Sequence, residues 1–287
     1  MRKKNEIDLL RFYGGDIREK TEEGIMIVSG DVMADELWGD AEAYRTLNAL
    51  LFDGYENEKE RIYKEGHRLN PAFIERIEEP LKIYRDVFSL MCRKNRVEEP
   101  VRVKRVDRKA SLYAYENGYT GSFVSCTKGN YQDDFSNKNQ VILLEVDILP
   151  GIPYADFQKI VTSSEYSNYD EKEILLPPFL PLEIKQVSLN KKETKMLRDM
   201  NGNAPVGKYF LKLGKFPDYR QEIRASKEEL KERVQKGSML AASELQKMNN
   251  GQWEEDYSKY VGWKQDLHAY LKLVYSDMCY GEKTDGQ

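Results

Sequence analysis

Apolar residues recur at helical spacing through the first third of the chain. Ala41 to Phe52 places Tyr44, Leu47, Leu50 and Leu51 on one side of a predicted helix. Pro71 to Met91 repeats the pattern with Phe73, Ile77, Leu81, Val87 and Phe88. Pro80 inside that stretch marks a break or a fresh helix start, because proline lacks the N–H that a helix interior needs. Between the two, the charged run Glu58 to Lys64 reads as a solvated helix face.

The period changes at Glu98–Pro100. Val101, Val103 and Arg105 alternate with Arg102, Lys104 and Val106, the mark of a strand. Gly121 to Thr127 is a second candidate, entered from a turn at Asn117–Gly118. Gln140 to Leu149 is a β-branched and leucine run closed by Pro150–Gly151. Glu173 to Leu176 is another, stopped by Pro177 and Pro178, and Pro181 to Ser188 and Lys208 to Leu213 follow. Ser226 with Glu229 three residues on forms a capping box for a helix over Lys227–Val234. The aromatic-rich stretch Trp253 to Met278 reads as a helix packed on the body, and Gly281 to Gln287 as a polar tail. Helices first and short strands afterwards predict an α+β fold. No GxGxxG follows a strand, so a Rossmann dinucleotide site is not supported.

Composition narrows the function. The 287 residues carry 45 Lys and Arg against 49 Asp and Glu, a net charge of −4, which disfavours a general electrostatic grip on nucleic acid. Basic clusters such as Met1–Lys4 and Lys191–Lys195 are local exceptions. Cys92, Cys126 and Cys279 are odd in number and far apart, and His67 and His268 lie at no metal-ligand spacing from them. Neither a metal site nor a disulfide framework is therefore expected, and a reducing compartment is. The basic start is broken by Asn5, Glu6 and Asp8, so no Sec-type signal and no membrane span is read.

Three elements carry candidate chemistry: Arg105 on the first strand, Ser125-Cys126-Thr127 on the second, and Glu171-Lys172-Glu173 before Ile174-Leu175-Leu176-Pro177. In this order they resemble the Arg-Ser-Glu class of mono-ADP-ribosyltransferases, which includes binary actin-modifying toxins and arginine-specific enzymes. Tyr44 to Leu51 is similar to the Tyr-x-x-Ile-Asn-x-x-Leu-Arg helix of that family, and Val141–Pro150 to the strand leading to the loop near nicotinamide. The resemblance spans roughly residues 40 to 188. The chain departs from the pattern at Cys126, where Thr is usual, at Thr127, where the last Ser is usual, and at Val106, where Gly is frequent after the arginine.

The resemblance implies NAD as co-substrate, no metal, and release of nicotinamide. Its implied fold is two short mixed or antiparallel sheets packed at a steep angle, with N-terminal helices and a C-terminal helical extension. The implied division is an N-terminal extension over 1–40, a catalytic domain over 41–188 and a C-terminal extension over 189–287. Arg105 is the candidate for the pyrophosphate, with Arg108 as the alternative, since a guanidinium offers paired charge-assisted donors. Glu173 would stabilise positive charge on the ribose, Ser125 would orient it, and Thr127 would support the same strand. Glu171, two residues away, would share a side with Glu173 on an extended backbone and face the acceptor, an arginine in the resembled family.

Tyr166 and Tyr169, in the loop 162–170, are candidate contacts to a protein substrate, and Phe157 is either a nicotinamide-loop or a core residue. Alternatives within this frame are an NAD glycohydrolase that depletes the cofactor, a catalytically silent binding module, and a nucleic-acid modifier. Location is expected to be cytoplasmic or by effector delivery, and oligomeric state is left open.

Overall fold

The computed structural model describes residues 6–7, 9–10, 13, 25–28, 31–34, 43–52, 71–94, 99–131, 141–164, 169–201, 207–250 and 258–281. The run Glu58 to Lys64 and the residues Met1–Lys4, His67, Tyr166 and Trp253 lie outside them.

A two-stranded hairpin, β1 (Ile25–Val28) with β2 (Asp31–Ala34), precedes the helix α1 (Ala43–Leu51). Leu47, Leu50 and Leu51 of α1 are fully buried, as the spacing predicts. The break expected near Pro80 falls just before it. A short helix α2 (Ala72–Glu75) ends at Arg76, and α3 (Glu78–Lys94) begins with Pro80 in its first turn, where no backbone N–H is required.

The strands follow: β3 (Val101–Arg108), β4 (Val124–Thr127), β5 (Val141–Ile148), β6 (Ala155–Asp156), β7 (Glu173–Leu176), β8 (Leu182–Val187) and β9 (Lys208–Leu213). Between β3 and β4, where only a turn was expected, a 3-10 turn (Lys109–Ser111) and α4 (Leu112–Glu116) intervene. The turn itself is present, with Gly118 at φ +85°, a conformation open to glycine. Further helices are α5 (Phe157–Ile160), α6 (Lys191–Asn201), α7 (Lys227–Asn249) and α8 (Ser258–Tyr280). Of the capping box, the Ser226 half is present: its hydroxyl accepts from Glu229 N at 3.1 Å, and the helix it opens runs beyond Val234 to Asn249.

The expected pair of sheets takes the form of one seven-stranded ladder, ordered β6-β7-β4-β3-β5-β9-β8. All its pairings are antiparallel except β5 with β9. The ladder narrows at one place. β3 and β4 share the single pair Lys104–Thr127, whereas β3 and β5 run together from Val101–Ile148 to Arg108–Val141. β9 lies between β5 and β8, so the sheet draws on residues beyond 188.

One face of this sheet and the surrounding helices build the main core. Phe88 stacks on Tyr275 with ring centroids 3.8 Å apart, joining α3 to α8, and Tyr84 stacks on Phe123 at 6.2 Å. On the other face, α6 covers Val106, Val141 and Leu143 with Leu197 and Met200. The start of α6 is a reciprocal cap: Asn190 Oδ1 accepts from Glu193 N, and Glu193 Oε2 accepts from Asn190 N, both at 2.9 Å. Glu193 also accepts from the buried Lys208 at 2.7 Å, which ties α6 to β9.

Candidate active site

The register of β4 and β7 sets the site. Thr127 stands opposite Glu173, and Ser125 lies two residues back on the same strand. Side chains alternate along a strand, so Ser125, Thr127 and Glu173 share one face, while Cys126 and its partner Ile174 take the other. Cys126 thus points away from Ser125, as expected. Its thiol is pushed up to about 12 by burial, with the Asp107 and Glu173 carboxylates adding and the Arg105 charge opposing. A thiol held that far up is no nucleophile.

Glu173 is buried at the head of β7, and the turn before it is fastened by Thr127. The Thr127 hydroxyl donates to Glu171 O at 2.6 Å and accepts from Gly129 N at 2.9 Å. One residue on, Lys128 N donates to Lys172 O at 3.2 Å. Lys172 sits at φ +54°, a left-handed conformation that costs a residue with a β-carbon about 1–2 kcal/mol.

That kink corrects one expectation. Strand alternation predicts a common side for Glu171 and Glu173, but Glu171 belongs to the 3-10 turn Tyr169–Glu171 and the strand begins only at Glu173. Alternation needs extended backbone, and Lys172 interrupts it. Glu171 is half-buried on this turn. Tyr169 contributes its backbone to the same turn, and Tyr166 lies outside the described residues. Phe157 is a core residue, 1% exposed.

Arg105 reaches the same strand from the other side. Lys128 bonds toward β7, so by alternation the Ser125 carbonyl faces β3, just where β3 parts from β4. Arg105 Nη1 donates to that carbonyl and replaces the missing ladder bond. Its Nη2 donates to Asp107 Oδ1 at 3.2 Å, and Nε lies 3.1 Å from Oδ2. Asp107 also accepts from Tyr115 Oη at 2.6 Å and from Arg108 N at 2.8 Å. Burial alone would raise the Asp107 carboxyl, yet the Arg105 charge and these donors outweigh it and hold the group below the ordinary carboxylate range. Arg105 moves oppositely: burial lowers its pKa, and Asp107 more than compensates. Arg105 is hydrogen-bonded to the β4 motif through the Ser125 carbonyl. Arg108 closes β3, half-buried.

Three further contributions to the site belong to no motif of the sequence. Tyr13, from the N-terminal segment, is 2% exposed and packs its ring edge-on to Phe123 at 5.7 Å and against Tyr44 at 6.4 Å. Its hydroxyl donates to Asn48 Oδ1 at 3.4 Å. That hydroxyl is raised first by burial and then by the Glu173 carboxylate, while Asn48 and the Arg105 charge lower it. The Arg105 and Glu173 charges both act on Tyr13 and on Cys126, with opposite sign. The second is Asp107 with Tyr115. The third is Lys128, whose ammonium meets both Asp156 carboxylate oxygens at 2.9 and 3.0 Å beside β7. Lys128 directly follows the Ser-Cys-Thr run, which was the only available signal for it.

Among solved structures, the chain is similar to Plx2a, an ADP-ribosyltransferase toxin from Paenibacillus larvae. The identity is 15% and the TM-score 0.35, over 63% of this chain and 94% of that one. It is also similar to the catalytic domain of VahC from Aeromonas hydrophila, at 18% identity and a TM-score of 0.36, over 62% of this chain and 94% of that one. No family model and no curated protein sequence matches the chain. Among the described residues no group of His, Cys, Asp and Glu could hold a metal ion, and no helix is long and apolar enough to cross a membrane.

Proposed function

We propose that the chain is a mono-ADP-ribosyltransferase that takes NAD as co-substrate and transfers ADP-ribose to a protein acceptor through an arginine side chain. The observation that carries this reading is Glu173. It is a buried carboxylate at the head of β7, opposite Thr127, on the face that also bears Ser125. Breaking the bond between nicotinamide and ribose leaves positive charge on the sugar, and a fixed carboxylate stabilises that charge more in the transition state than in the ground state.

Ser125 stands diagonally across from Glu173 and orients it. Thr127 acts one step back, by holding the Glu171 carbonyl and so the turn that delivers Glu173. Arg105 keeps its guanidinium in place through Asp107 and the Ser125 carbonyl and presents its remaining N–H donors to the pyrophosphate.

Glu171, on the turn rather than the strand, takes the acceptor side, where the attacking guanidinium must lose a proton. The residue Tyr169 shares this turn and, with Tyr166, would meet the protein substrate. The test uses labelled NAD, a cell lysate and the Glu171→Gln variant. The wild type is expected to label protein on arginine. The variant is expected to lose about 10²-fold of that transfer while still releasing nicotinamide. Nicotinamide release without any labelled acceptor in the wild type would support NAD hydrolysis instead.

A further inference from the structure

Two of the three cysteines, which share no sequence motif, meet in the fold. Cys92 lies in the last turn of α3 and Cys279 in the last turn of α8, and their sulfurs are 3.8 Å apart although 187 positions separate them. Both are reduced and half-buried against the core, whereas Cys126 is buried within it. The encounter follows from the helix seam. Phe88 stacks face to face on Tyr275, and the two cysteines stand four residues beyond these rings, Cys92 after Phe88 and Cys279 after Tyr275. On a helix, residues four apart lie one above the other, so the thiols occupy the next turn of the same contact. A disulfide needs sulfurs at about 2.05 Å, so the two thiols must draw together by about 1.8 Å from the separation they hold in the reduced protein.

We propose that Cys92 and Cys279 are a dithiol modification site, closed into an intramolecular disulfide by a small disulfide oxidant such as glutathione disulfide. One cysteine thiolate attacks a sulfur of the oxidant, forms a mixed disulfide and releases one glutathione thiolate. The other cysteine then attacks the protein sulfur of that mixed disulfide and expels the second glutathione. The two protein thiols give up two electrons and two protons, and the oxidant receives them as two glutathione thiols. The new bond fastens the C-terminal helix to α3, the helix whose Tyr84 stacks on Phe123 and donates to Leu47 O at 2.6 Å. Oxidation therefore locks α8 onto the element that braces β4. A cross-link over so long a loop restricts the unfolded chain and raises the thermal midpoint. This inference is independent of the proposed catalytic reading.

The full chain is incubated with glutathione disulfide in its native state, then assayed for thiols, mass and melting temperature. One titratable thiol is expected to remain of three, and the mass should fall by two hydrogens. A digest should yield one peptide pair joining Cys92 to Cys279, and the Tm should rise by about 5–10 °C, reversibly on reduction. The variants Cys92→Ser and Cys279→Ser are each expected to melt near the reduced wild type before treatment and to show no rise after it. Three remaining thiols, a stable glutathione adduct on the wild type, or cross-links only between molecules would each overturn the proposal.

Discussion

Replacing Glu173 with Gln is expected to lower kcat for nicotinamide release by about 10³-fold while leaving the Kd for NAD nearly unchanged. The amide keeps the size and much of the hydrogen bonding of the carboxylate. It lacks the negative charge that the forming oxocarbenium requires, so the loss falls on the transition state and not on binding. The surrounding frame should survive, because Glu173 is positioned by backbone pairing with Thr127 and by the Thr127–Glu171 and Lys128–Lys172 bonds. Steady-state kinetics beside an NAD-binding measurement check this. An equal fall in affinity, or an unfolded variant, would mean that the carboxylate serves binding or structure.

The second large effect is expected at Asp107. Replacing it with Ala removes, among the described residues, the carboxylate that meets the half-buried Arg105 and the acceptor for the buried Tyr115 hydroxyl. Breaking one partner of a buried pair costs about 3–5 kcal/mol, because the other charge is left uncompensated. At roughly 2–4 °C per kcal/mol, Tm should fall by about 10 °C. The pair also sets an acid limb. The folded Asp107 carboxyl is held below its ordinary value, so its contribution to stability is complete above the unfolded value of about 3.9 and is lost as pH falls through the lower folded value. Wild-type stability should therefore drop below about pH 4 more steeply than that of Asp107→Asn, which cannot titrate there. Chemical unfolding of both proteins from pH 7 to pH 2.5 measures the difference.

Much of the sheet was legible because its strands are β-branched or leucine runs stopped by proline and glycine. β5 closes at Pro150–Gly151 and β7 at Pro177–Pro178, where the pattern placed them. Helix α6 was passed over because its lysines read as a basic patch and only Met196, Leu197 and Met200 are apolar, though the Asn190-to-Glu193 cap was there to be read. Helix α4 is five residues long, too short for any period to show.

At the site, Ser125, Thr127 and Glu173 could be ordered by motif, but their common face rests on a register that only pairing reveals. The alternation that would put Glu171 beside Glu173 does not run through Lys172, whose backbone is left-handed. Asp107 belongs to no motif, and its burial at the end of β3 follows from packing that local spacing does not encode. Tyr13 and the Cys92–Cys279 encounter depend on contacts across the whole chain, which no local spacing encodes.

The measurement that bears most directly on the central claim is nicotinamide release from NAD by the wild-type protein, followed by chromatography with and without an arginine-bearing protein acceptor. Release that depends on Glu173, accompanied by ADP-ribose on the acceptor, is the expected result. Absence of any NAD turnover by folded protein, with every acceptor tried, would contradict it.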